Sequence, residues 1–267
     1  MPAIDLARLK TQAARLSDKF GEPEDFAHDL NEVLDYYANR TIRSTQTAQH
    51  LSLPTYHTPP PVLRQIQAEL DPLAEAHPAQ AIALVNALWK EKYLEARLLA
   101  ARLLGSISPS EAITSLSRLP DWLSQSTDKK VREALLTDSL TRLRHENPEA
   151  LFTILEEWLK SPRGSYQVWG LQALIPIVSD PHFENLPAVF RILRPAIQNA
   201  GPLTQLELKA LLATLERVSL TETTVYLREL LASNPPAMLV RIMRRMLPTF
   251  SPELQSALRG MLRTEGV

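Results

Sequence analysis

Cysteine is absent from the 267 residues, which excludes disulfides, thiolate-bound metals and cysteine nucleophiles. Glycine is scarce, at seven residues, and the seven are scattered. A phosphate-binding loop needs glycines clustered before a helix, so the common nucleotide-binding types are not expected. No Gly-x-Ser-x-Gly motif occurs, which removes the usual serine-nucleophile elbow. The histidines His28, His50, His57, His77, His145 and His182 show no metal-ligand spacing, and neither a metal nor a cofactor is expected. No apolar run approaches the roughly 18 residues of a membrane helix. The opening MPAIDLARLK sets Asp5, Arg8 and Lys10 where a signal peptide requires unbroken apolar residues. A cytoplasmic protein follows as the expectation.

Net charge is also nearly missing, at -1, but the balance is uneven along the chain. Residues 1 to 80 are acidic, whereas from Asn185 onward Arg and Lys outnumber Asp and Glu. Local potential matters more than the sum, so a basic face toward a polyanion is compatible with a neutral total.

What the chain does have is proline, 21 residues of it, placed where helices begin. His77-Pro78, Ser108-Pro109, Asn147-Pro148, Asn234-Pro235 and Ser251-Pro252 fit an N-cap followed by a first-turn proline, whose missing N–H is not needed there. Between them apolar residues recur at helical spacing, as in Leu94, Leu98, Ala101, Leu104 and in Val131, Leu135, Leu136, Leu140, Leu143. No segment alternates as a strand would. The reading is all-α, with helices of about 10 to 18 residues in antiparallel pairs starting near Pro78, Pro109, Pro148, Pro181 and Pro202, as in a HEAT-like helical-repeat solenoid. An N-terminal helical cap, 1–40, would lead through a Pro- and Thr-rich connecting segment, 41–61, into a repeat array, 62–267. The whole would form one solenoid domain with a concave surface.

The stretch LWKEKYLEARLLAARLLG, residues 88–105, reads as a helical hairpin. One helix ends near Trp89 to Lys90 and the next starts near Tyr93. With Leu88-Trp89, Glu95, Arg97, Leu99-Ala100 and Leu103-Leu104, and with Tyr56 and Pro61-Val62-Leu63-Arg64 upstream, it resembles the AlkD-type alkylpurine DNA glycosylases of the DNA alkylation repair family. That resemblance implies a HEAT-like fold and cleavage of the bond between deoxyribose and an alkylated purine in duplex DNA, with no metal or cofactor. Glu95 and Arg97, two positions apart, fall on different sides of a helix and read as packing residues.

The resemblance carries the family's carboxylate onto Asp138, in VREALLTDSL, while Ala134 stands where the family has tryptophan four positions earlier. SPRGSYQVWGLQAL matches the family's later Trp-x-x-Arg helix start, offering Tyr166 and Trp169 without the arginine. Asp138, Tyr166 and Trp169 are therefore the candidate catalytic residues, whereas Trp122 and Trp158 read as core.

Candidate phosphate contacts are Lys129, Lys130 and Arg132 at one helix start, Arg163 at another, and Arg241, Arg244 and Arg245 in RIMRRMLP. The last three are spaced three and four apart on one helix face, opposite Leu239, Ile242, Met243 and Met246. Alkylated double-stranded DNA is the expected partner, bound by a monomer. The alternative is a non-catalytic repeat scaffold that binds DNA or a protein on its concave face.

Overall fold

The computed structural model describes residues 5–39, 53–233 and 235–263. Every regular element among them is helical, as the apolar periodicity predicts. The chain forms two compact units, Met1–Asn147 and Pro148–Val267.

In the first unit the helices are α1 (Leu6–Ser17), α2 (Pro23–Tyr36), α3 (Pro60–Ala76), α4 (Pro78–Lys90), α5 (Leu94–Ser106), α6 (Pro109–Leu116), α7 (Leu119–Gln125), α8 (Lys129–Thr137) and α9 (Thr141–Glu146). They pack in two layers. α2, α4 and α6 lie side by side in one, while α1, α3, α5 and then α8 with α9 form the other, and α4 and α5 meet face to face. The second unit holds α10 (Pro148–Lys160), α11 (Gly164–Val178), α12 (Leu186–Gln198), α13 (Gln205–Val218), α14 (Leu220–Ala232), α15 (Ala237–Met246) and, after a 3-10 turn at Leu247–Thr249, α16 (Pro252–Arg263). There α10 packs on α12, α11 on α13, and α14 on α16.

Pro78, Pro109, Pro148 and Pro252 are the first residues of α4, α6, α10 and α16, where a missing N–H leaves no helical bond unmade. Pro181 and Pro202 precede their helices by several residues. α12 waits for Asn185, whose side chain accepts from the Ala188 N–H at 3.2 Å, and a side-chain cap sets the start more firmly than a nearby proline. Residues 41–52 of the expected connecting segment, 41–61, lie outside the described residues.

A repeat is visible in the long-range polar contacts. Side-chain bonds join Thr55 to Glu95, Ser106 to Asp71, Arg102 to Asp138, Arg191 to Glu156, Gln172 to Glu207, Arg245 to Gln205 and Ser251 to Glu216, at separations of 35 to 40 residues. That is the length of one helix pair, as expected where each pair contacts its neighbours.

α5 is enclosed in the first unit. Leu94, Ala96, Leu99, Ala100, Ala101, Leu103 and Leu104 are all buried, each fully covered leucine contributing about 1.5–3 kcal/mol. Glu95 is buried among them, 3% exposed, because it holds the described part of the connecting segment. Its Oε1 accepts from the Thr55 hydroxyl at 2.7 Å and from the Thr58 N–H at 3.3 Å, while the Leu94 N–H donates to the Pro54 carbonyl at 2.9 Å. Tyr56 stacks on Tyr93 with centroids 4.2 Å apart; burial, then the bond to Tyr93, pushes the Tyr56 phenol above its usual range. His57 takes a φ of 53°, a left-handed conformation that a non-glycine residue keeps only where its surroundings enforce it.

The Leu88–Gly105 stretch is thus the spine of the first unit, and Glu95 is its tie to residues 53–59. Glu95→Ala should lower stability by about 2–3 kcal/mol, since a hydroxyl and an amide lose a charged acceptor at a buried site. Denaturant unfolding reads the loss, and amide exchange at 53–59 should accelerate more than in α4. Unchanged exchange there would show that Glu95 does not anchor the segment.

Candidate functional site

α8 begins with a cap and ends at the candidate carboxylate. Asp128 accepts from the Lys130 and Val131 N–H groups at 2.8 and 3.4 Å, so the N-terminus of α8 already holds an anion of its own. Phosphate recognition there falls to the side chains of Lys129 and Lys130, both exposed, and less to Arg132, which is half-buried.

At the other end, the Asp138 N–H makes the last bond of α8, to the Ala134 carbonyl at 2.8 Å, before the chain turns into α9. That turn lies against α5. A Cβ on Gly105 would sit 1.9 Å from the Asp138 carbonyl oxygen, so glycine is what allows this approach. One turn earlier on α5, Arg102 donates from Nε to Asp138 Oδ2 at 3.3 Å, and Thr137 Oγ1 lies 3.2 Å from Oδ1. The Thr137 hydroxyl gives its one proton to the Glu133 carbonyl at 2.7 Å, so Arg102 is what holds the carboxylate, at Oδ2, and the side chain remains 38% exposed. It is fixed in direction and open to a ligand. Ala134 is buried.

Two arginines of α9 secure the same turn. Arg142 donates to the Ser106 carbonyl at 3.0 Å and to Glu75 Oε1 at 3.2 Å, and pairs with Glu146. Arg144 donates to the Thr137 carbonyl at 2.9 Å. The last carbonyls of α5 and α8 are thereby satisfied by cations, the sign favoured at helix C-termini. Sequence reasoning named none of Arg102, Arg142 and Arg144. The signal that could have found Arg102 is the pairing of a charge with its opposite one repeat later.

In the second unit Tyr166 and Trp169 lie on the first turns of α11. Trp169 is buried and meets Trp158 edge-on, with centroids 6.4 Å apart and planes at 72°. Tyr166 is half-buried, 5.1 Å from Trp169, with the Arg163 guanidinium 5.7 Å from its centroid. These are favourable aromatic and cation–π geometries that position Arg163 and Tyr166 together.

The face of α15 divides as its spacing predicts, with Leu239, Ile242, Met243 and Met246 buried and Arg241, Arg244 and Arg245 exposed. The three arginines differ in what they touch. Arg244 Nε donates to the Leu262 carbonyl in the last turn of α16 at 2.7 Å, and Arg245 donates to Gln205 Oε1 at 3.2 Å.

Among the described residues no helix is long and apolar enough to cross a membrane. Stacked antiparallel helix pairs with a repeat of 35 to 40 residues define an all-α helical-repeat protein. Within that class the chain belongs to the DNA alkylation repair enzyme family, whose family model matches residues 30–241. Neither the curated proteins nor the solved structures returned a match.

Proposed function

We propose that the protein binds alkylated duplex DNA and hydrolyses the N-glycosidic bond of N3- or N7-alkylated purines. The observation that carries this reading is Asp138, a half-exposed carboxylate held by Arg102 in a chain of the DNA alkylation repair family. An alkylated purine already bears positive charge. When the C1′–N bond breaks, the electron pair goes to the base, which leaves neutral, and the positive charge passes to the sugar. Water then adds to C1′ and gives up a proton to solvent. The work left to the protein is stabilising the oxocarbenium-like sugar, for which a preorganised carboxylate is suited.

In this reading the Asp138 carboxylate faces the sugar, and within the second unit the buried Trp169 backs the half-buried ring of Tyr166, the electron-rich surface that unit offers. Lys129, Lys130, Arg132, Arg163, Arg241, Arg244 and Arg245 hold phosphates, and no metal or cofactor takes part. A second reading, a non-catalytic repeat scaffold for DNA or a protein, is favoured by the buried Ala134 in place of the family's tryptophan and by the pairing of Asp138 with Arg102.

The test is release of free base from duplex DNA carrying N3- or N7-methylated purines. Release above the spontaneous rate supports hydrolysis. Release at the spontaneous rate, with duplex binding retained, sinks the enzyme reading and leaves the scaffold.

A further inference from the structure

Leu203 and Leu206 are the most exposed large apolar side chains among the described residues, at 72% and 73%. They frame the start of α13, and neither is loosely held. Thr204, between them, is buried, and its hydroxyl both accepts from the Gly201 N–H at 3.2 Å and donates to the Gly201 carbonyl at 3.1 Å. This closes residues 201–204 into a pinned turn. On one side Leu203 lies against the start of α11, where a Cβ on Gly164 would come within 3.0 Å of Leu203 Cδ1.

Cations outnumber acids around this ridge. Arg163 immediately precedes Gly164 and is exposed, Arg245 reaches Gln205 on the first turn of α13, and Lys209 is exposed one turn further along. The acid of that turn, Glu207, accepts from Gln172 Nε2 at 3.2 Å and so is engaged with α11.

We infer that Leu203 and Leu206 form a wedge that enters the minor groove of duplex DNA and opens a base step, while Arg163, Lys209 and Arg245 hold the flanking phosphates. A ridge that is apolar at its crest and cationic at its flanks matches a polyanion whose interior is a stack of apolar rings. Leucine is among the side chains that part such stacks, and arginine is drawn to a narrowed minor groove. The inference rests on the duplex-DNA reading above and adds to it how the stack is entered.

The probe is a duplex carrying 2-aminopurine, whose fluorescence rises on unstacking, beside a tetrahydrofuran abasic site that no hydrolysis can alter. The wild type should raise the fluorescence on binding. The Leu203→Ser/Leu206→Ser double variant should bind about tenfold more weakly, without the rise. Its fold should persist, because both side chains are exposed. Arg163→Gln and Arg245→Gln should keep the rise and each reduce the slope of log affinity against log salt by about one.

Binding by the wild type with no rise, or a rise that survives in the double variant, overturns the wedge alone. No binding of the duplex overturns both the wedge and the DNA reading. Self-association of the wild type in sedimentation, lost in the double variant, would give the ridge to a second copy of the chain and overturn the wedge.

Discussion

Asp138→Asn should lower base release from duplex DNA carrying N3- or N7-methylpurines by on the order of a thousandfold. A carboxylate about 4 Å from a cationic sugar contributes about 4 kcal/mol at an effective dielectric near 20, which sets that factor. Asparagine keeps the shape and one acceptor oxygen but not the charge, so the loss should fall on the chemical step, with duplex affinity little changed. The variant should fold. The pair with Arg102 joins partly exposed groups, at 28% and 38%, and such pairs contribute up to about 1 kcal/mol. Single-turnover release and thermal unfolding, measured on the same preparation, separate the outcomes. A variant as active as the wild type assigns Asp138 to the scaffold.

Gly105→Ala should be the most damaging small substitution in the first unit. In an open helix position the change is favourable by about 0.5–1 kcal/mol, because glycine loses more backbone freedom on folding. Gly260 in α16, with nothing within 4 Å of a Cβ built there, should show that gain. At Gly105 the added methyl would sit 1.9 Å from the Asp138 carbonyl oxygen, 3.0 Å from its carbonyl carbon and 3.3 Å from Ser139 Cα. All three are backbone atoms, so no side chain can swing aside and α5 must part from the turn after α8. A loss of about 3 kcal/mol is expected, seen as a drop of about 6–12 °C in the unfolding midpoint. Because the displaced backbone carries Asp138 away from Arg102, base release should fall with stability. A midpoint equal to the wild type would mean that the two elements are not in contact.

Glu95 and Asp138 look alike in the sequence, each an acid within a helical pattern, and their environments separate them. Glu95 is enclosed and its Oε1 is taken up by Thr55 and Thr58, which makes it a structural tie. Asp138 lies where a helix ends, so its carboxylate reaches solvent. RIMRRMLP divides in a similar way. Its spacing placed three arginines on one face, but whether each is free for phosphate depends on Leu262 and Gln205, 18 and 40 residues away.

By itself the sequence determined the all-α class, the starts of α4, α6, α10 and α16 and the apolar faces of α8 and α15, whereas α5, read as one apolar stripe, is buried nearly all round with Leu98 half-exposed. Capping, proline placement and helical periodicity act within a turn or two of the chain and are written there directly. The family was legible too, since the residues of one hairpin carried the resemblance. Only the tertiary structure decided that Gly105 admits the Asp138 backbone, that Arg102 aims the carboxylate, that Glu95 holds residues 53–59, and that Leu203 and Leu206 stand exposed between cations. Those relations join residues in different helices, often one repeat apart, and packing between neighbouring pairs brings them to within a few ångströms.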